Sequence, residues 1–213
     1  MQHFREHTGL VAPMDRVNVD TDQMVPKQFC KLLTNVGYER MLFYDWRYLP
    51  GTETPDPAFV LNLPRYQGAS ILLTRRNFGC GSSREHAAWA VRDYGFRAVI
   101  GPSFADIFFG NCFRNGVLAI PLPQEQVDEL FRRVDARPGY RLHIDLPNQV
   151  IRDDSGLEYK FEINPFGKEA LLKGLDEIGL TCEHEAEIAA YEHAHNPRIE
   201  LHGEVDFSLP AAS

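Results

Sequence analysis

Residues 69–94 constrain the fold more than any other stretch of this chain. Ala69, Ile71, Leu72 and Leu73 form an apolar run of strand length, and Ala87, Ala90, Val91 and Tyr94 fall on one face of a helix. Between them stands Asn77-Phe78-Gly79-Cys80-Gly81-Ser82-Ser83-Arg84-Glu85-His86, so a strand-to-helix turn must join the two. The alternation continues with apolar residues 98–101, a helical pattern over 104–112 that starts at Ser103, and a third apolar run at 118–120. Strand, helix, strand in this order argues for an α/β architecture with parallel pairings.

The remaining segments fit around that unit. Residues 8–14 read as a first strand, and 29–46 as mostly helical with a break at Asn35-Val36-Gly37. Prolines 50, 55, 57 and 64 keep residues 49–64 irregular. Pro123 suits the start of a helix over 124–134. Residues 140–146, 149–152 and 157–162 read as short antiparallel strands separated by Pro147-Asn148 and Asp153-Asp154-Ser155-Gly156. Helical patterns close the chain at 165–172 and 183–195, whereas 197–213 carries no motif. We take residues 1–196 as one domain, with 165–196 a helical C-terminal extension.

The glycine turn is where chemistry concentrates. Gly79 and Gly81 tolerate positive φ, which lets backbone N–H groups approach a ligand. Ser82, Ser83 and Arg84 then stand at a helix start, where unpaired N–H groups and the helix dipole favour an anion such as a carboxylate. A second reading stays open, because Ser82 and Glu85 have the spacing of a capping box that only satisfies helix N–H groups. Two hydroxyls, an arginine and a histidine on one turn exceed what a cap requires. No G-x-x-x-x-G-K-[ST] or G-x-G-x-x-G pattern is present, which argues against phosphate-loop and dinucleotide chemistry.

Bulk properties exclude other classes. The formal charge of −8 offers no basic footprint for nucleic acid, and no apolar run has bilayer length. The polar N-terminus differs from a signal peptide, so the expected location is cytoplasmic. Cys30, Cys80, Cys112 and Cys182 are far apart and lack ligand spacing, so most are expected as buried free thiols, with Cys80 on the turn as the exception. His184, His193 and His195 lie near glutamates, but His193 and His195 point to different faces of a helix, and a solvated helix end is the better reading. No metal site is expected on this chain.

The turn sequence 77–87 resembles the signature of the aconitase-type swivelling domain, in the form carried by small subunits of 3-isopropylmalate dehydratases. Asn18-Val19-Asp20-Thr21-Asp22-Gln23-Met24-Val25-Pro26-Lys27-Gln28-Phe29, Asp45-Trp46-Arg47, Pro102-Ser103-Phe104-Ala105-Asp106-Ile107-Phe108 and Gly174-Leu175-Asp176-Glu177-Ile178-Gly179-Leu180-Thr181 resemble that family in the same order. The resemblance implies a swivelling β/β/α domain with a mixed sheet or barrel-like core flanked by helices. It implies a hydro-lyase of leucine biosynthesis that interconverts 2-isopropylmalate and 3-isopropylmalate and works only as a heterodimer or larger assembly with a large subunit. That partner would bind a 4Fe-4S cluster, whose iron is the Lewis acid. On this chain Ser82 would be the catalytic base, working as an alkoxide, while Ser83 and Arg84 bind substrate carboxylate. Thr21, Asp22, Gly79, Cys80, Gly81 and His86 would support them, with Asp22 orienting a partner histidine. Leu32, Leu33 and Val36 would lie on a loop that selects the substrate side chain, although apolar residues there also suit plain core. Rival expectations are a related hydro-lyase acting on citramalate, dimethylmalate or homocitrate-type acids, and a non-enzymatic anion-binding module.

Overall fold

The computed structural model describes residues 1–31, 34–81, 84–175 and 177–195. Its first compact unit, Met1–Glu177, is organised by a curled, mixed seven-stranded sheet flanked by helices. The strands are β1 (Glu6–Met14), β2 (Ile71–Thr74), β3 (Ala98–Gly101), β4 (Leu118–Pro121), β5 (Arg141–Asp145), β6 (Val150–Arg152) and β7 (Glu158–Lys160), in spatial order β4-β3-β2-β1-β5-β6-β7.

β1 belongs to both halves of the sheet. Residues 6–10 pair antiparallel with β5, and residues 11–14 pair parallel with β2. Gly9 sits just before the changeover, where a Cβ would lie 2.3 Å from Ser70 Oγ and 2.7 Å from His7 Nε2, so no side chain fits. From β2 the parallel half runs outward through β3 to β4. β2 and β3 are buried at every residue, as expected of parallel strands covered on both faces. The antiparallel half is the meander β5-β6-β7 expected from the turn-separated segments after residue 140.

Crossover helices join the parallel strands, since two parallel neighbours cannot be linked by a hairpin. α3 (His86–Tyr94) connects β2 to β3 and buries Ala87, Ala90 and Val91, three of the four residues expected on its inner face. α4 (Asp106–Arg114) connects β3 to β4. α5 (Gln124–Ala136) follows β4 and lies on β1, β2 and β3 through Val127, Leu130, Phe131 and Val134, an i, i+3, i+4, i+7 stripe. α6 (Pro165–Lys173) starts with Pro165 behind an Asn164 cap and ends at left-handed Gly174; Leu171 in it is wholly buried, and its carbonyl accepts from Phe4 N at 2.8 Å.

Two sequence expectations need correction. Among the described residues, the helical structure over 29–46 is confined to a 3₁₀ turn over Lys27–Lys31 and the four-residue α2 (Tyr44–Arg47), with α1 (Thr21–Met24) before them. Tyr38, Leu42 and Phe43 are fully buried at helix-like spacing, yet Phe43 is left-handed at φ 54° and its N–H donates to Met24 O at 2.7 Å. Distant anchors thus override the local pattern. The helix expected from Ser103 begins at Asp106 behind Ala105, because Ser103 Oγ accepts from Asn77 N at 2.9 Å instead.

In the second unit, Ile178–Ser213, the described part comprises α7 (Glu177–Cys182), which begins at the boundary, and α8 (Glu185–His195), whose residues are all exposed. Among the described residues no helix is long and apolar enough to cross a membrane.

Candidate active site

Three loops leave the carboxyl ends of β1, β2 and β3, where open parallel sheets place their ligands. They contain the sequence runs starting at Asn18, Asn77 and Pro102, and backbone hydrogen bonds join them. Asn18 N donates to Arg76 O at 3.1 Å, Gly79 N to Val19 O at 2.8 Å, and Thr21 N to Cys80 O at 2.8 Å. On the other side Phe78 N donates to Ser103 O at 3.2 Å and Ala105 N to Phe78 O at 3.0 Å. Asn18 and Asn77 are both left-handed, at φ 54° and 58°, a region that asparagine tolerates. Their side chains meet, Asn77 Nδ2 donating to Asn18 Oδ1 at 3.0 Å.

Both glycines of the turn take the positive φ expected of them, and each meets a different neighbour. Gly79 has φ +77°, but its N–H is committed to Val19 rather than open to a ligand. What forbids a side chain there is Phe108: a Cβ on Gly79 would lie 2.2 Å from Phe108 Cγ. Gly81, at φ +92°, faces a milder neighbour, with Asp20 Cβ 3.2 Å from a built Cβ.

α3 starts at His86, with Glu85 as its N-cap residue, so Arg84 precedes the helix instead of standing in it. Glu85 Oε1 accepts from Asn115 Nδ2 at 2.8 Å, and as N-cap residue Glu85 makes no side-chain cap bond of its own. Ser82, Ser83, Leu32 and Leu33 lie outside the described residues.

Arg84 is the centre of the described site. Its Nη1 donates to Asp22 Oδ1, and Cys30 Sγ lies 3.7 Å from the same nitrogen. Asp22 is held by α1, which a capping box does stabilise: Gln23 N donates to Asp20 Oδ1 at 2.8 Å and Asp20 N to Gln23 Oε1 at 3.0 Å. Thr21 is buried at the start of that helix. Lys27 Nζ stands 3.9 Å from Asp22 Oδ2. Sequence reasoning did not single out Lys27 or Cys30 as site residues; their only signal was proximity to Asp22 in the chain.

His86 is half-buried, its ring 4.7 Å from Trp89 and 5.6 Å from Tyr38. Burial lowers its pKa, the Arg84 charge acts in the same direction, and Glu85 opposes both. A neutral ring beside a cation results. Cys80 is half-buried, and burial, aided by Asp20, raises its thiol pKa, which disfavours thiolate chemistry. Val36 is 59% exposed, on the turn where Thr34 Oγ1 accepts from Val36 N at 3.2 Å.

An iron–sulfur cluster needs converging thiolates. Cys112 is wholly buried in α4 with its pKa raised by burial, Cys182 is exposed on α7, and Cys30 and Cys80 are half-buried. Among the described residues no three His, Cys, Asp or Glu side chains converge as a metal set, so these residues do not fit such a cluster. His184 pairs with Glu187 at 3.3 Å and His195 Nδ1 with Tyr191 O at 3.0 Å, both within the exposed C-terminal helical segment.

Comparison with known proteins agrees with this geometry. The family model described as Aconitase C-terminal domain matches residues 1–125, and one described as LeuD_N matches residues 128–165. Fold and matched models together define an aconitase-type domain. Proteins named 3-isopropylmalate dehydratase small subunit are 56% identical in Brevibacillus brevis, over 90% of this chain and 98% of that protein, and 58% identical in Methylibium petroleiphilum, over 90% and 93%. A solved structure titled 3-isopropylmalate dehydratase from Methanocaldococcus jannaschii shares the fold, with TM-score 0.63 and 22% identity over 87% of this chain and 99% of that one. The chain belongs to the 3-isopropylmalate dehydratase small-subunit family.

Proposed function

We propose that this chain is the small subunit of a 3-isopropylmalate dehydratase, a hydro-lyase of leucine biosynthesis that interconverts 2-isopropylmalate and 3-isopropylmalate with a large subunit. The observation that carries the reading is the joining of the three family-matched loops at one end of the sheet, with Arg84 of the second paired to Asp22 of the first. Membership of the aconitase family suggests a 4Fe-4S cluster in the enzyme, and we assign it to the large subunit. Free cysteines suit the reducing cytoplasm we infer as the setting.

Each candidate site residue is assigned a task in that reaction. A proton beside a carboxylate is weakly acidic, so a base must meet it at close range, and we assign that base to Ser82. The planar guanidinium of Arg84 suits a carboxylate better than an ammonium would, and Ser83 adds a hydrogen bond. Asp22 engages one Nη of Arg84 and so orients the fork before substrate arrives. Thr21, Gly79, Cys80, Gly81 and His86 shape the loops around it. Leu32, Leu33 and Val36 meet the isopropyl group.

Reconstitution tests this directly. Mixing the chain with a large subunit of 3-isopropylmalate dehydratase should produce turnover of 2-isopropylmalate that neither polypeptide has alone. Turnover confined to citramalate or another hydroxy diacid would move the assignment to a related hydro-lyase, and none on any would leave an anion-binding module.

A further inference from the structure

Helix α3 is fastened at both ends to one short segment, residues 34–38, which carries Val36. At its last turn Asp93 Oδ2 accepts from Tyr38 N at 3.0 Å, and Arg92 Nη2 donates to Asn35 O. Arg92 Nε holds Asp93 Oδ1 at 2.8 Å, so the two side chains form one unit, with that of Asp93 only 12% exposed. Arg92 Nη1 also reaches Asn115 Oδ1 at 3.3 Å, and Asn115 Nδ2 returns to Glu85 at the opposite end of the helix. At the first turn the fully buried Tyr38 ring packs 5.6 Å from both His86 and Trp89. Among the described residues neither Tyr38 Oη nor His86 Nδ1 has a hydrogen-bond partner, so the ring contact is one of shape.

The segment also flanks Arg84. The 3₁₀ turn before it brings Cys30 Sγ to 3.7 Å from Arg84 Nη1, and Tyr38 ends it against His86, two residues beyond Arg84. Among the described residues between those anchors, Val36 is the exposed apolar side chain.

We propose that Asp93, with Arg92 and Tyr38, is a positioning residue for side-chain selectivity, because one helix sets the offset between Arg84 at its start and Val36 on the segment clamped to its end. The inference rests on the roles given above to Arg84 and Val36. Asp93 touches no substrate. It acts by keeping the apolar side chain of Val36 at a fixed distance from the carboxylate held by Arg84, and losing the clamp lets the segment drift.

The test uses the full chain assembled with a large subunit of 3-isopropylmalate dehydratase, comparing kcat/KM for 3-isopropylmalate with that for 3-methylmalate. Asp93→Ala should shrink this ratio by about tenfold, the scale on which apolar pockets discriminate, through a higher KM for 3-isopropylmalate with kcat within about twofold. Asp93→Asn, which keeps an acceptor for Tyr38 N, should restore part of the ratio. A ratio unchanged in Asp93→Ala, or an equal fall for both acids, overturns the proposal. If Asp93→Ala fails to assemble, Arg92→Gln, which releases Asn35 O, reads the same ratio by the same criteria. Hydrogen exchange at the Tyr38 amide in the free chain checks the clamp alone: Asp93→Ala should speed it about tenfold, and unchanged exchange overturns the mechanism. Absence of 3-isopropylmalate turnover by the wild-type assembly would instead overturn the functional reading and its selectivity, while exchange still reports on the clamp.

Discussion

Gly79→Ala offers a sharp test of how the fold builds the site loops. Two costs combine at that position. At φ +77° an alanine Cβ crowds the backbone, at about 1–2 kcal/mol. The same Cβ would sit 2.2–2.5 Å from three atoms of Phe108, inside any real contact distance. Phe108 has little room to yield, being 2% exposed, 5.5 Å from the Phe78 ring and 6.5 Å from that of Phe104. Overpacking of this kind costs about 1–3 kcal/mol, which brings the total to roughly 2–5 kcal/mol. Gly81→Ala provides the control. It shares the positive φ, but its closest neighbour, Asp20 Cβ at 3.2 Å, can give by a few tenths of an ångström, so the strain of about 1–2 kcal/mol should dominate. Urea unfolding of the free chain, with unchanged m-values, reads both variants. In a Phe108→Ala background the cost of Gly79→Ala should fall to that of Gly81→Ala, the signature of a direct contact. If Gly79→Ala costs no more than Gly81→Ala, or if removing Phe108 brings no relief, the steric reasoning is wrong.

In the assembled enzyme, Ser82→Ala should lower kcat by about 10²–10⁴ with assembly intact; near-normal turnover would remove Ser82 from the chemistry. Arg84→Lys keeps the charge and loses the planar fork, so it should chiefly raise KM for isopropylmalate, and unchanged steady-state constants would place Arg84 away from substrate. Asp153, its carboxylate wholly shielded, accepts from Arg133, Tyr140, Ser155 and Leu157 N; burial alone would raise its pKa, but those bonds outweigh it and hold the group well below the usual aspartate range. Its contribution to stability is present above the unfolded pKa and is lost as pH falls below about 4, so Asp153→Asn should destabilise the chain by about 3–5 kcal/mol at pH 7 and flatten the acid limb of a stability–pH curve. An acid limb identical to wild type would remove Asp153 from that account.

How much of this was legible in the sequence depended on how far away each residue's partner lies. β2, β3 and the inner face of α3 were readable because burial on both faces, or on one helical face, imposes a pattern within a few residues. The segment after Phe29 was misread because what fixes it, Asp93 on Tyr38 and Arg92 on Asn35, comes from residues more than fifty positions later. The glycine turn was found, but the reason for Gly79 was not, since Phe108 stands 29 positions beyond it. The two capping-box signatures show the same limit. The Asp20–Gln23 box closes within its own helix. Glu85 Oε1 accepts from the buried Asn115 amide, 30 positions away, a bond that competes with reaching back toward its own helix. A local motif is therefore a statement about what a side chain does when no tertiary partner claims it, and active-site loops, where distant segments are drawn together, are the places where such partners are most numerous.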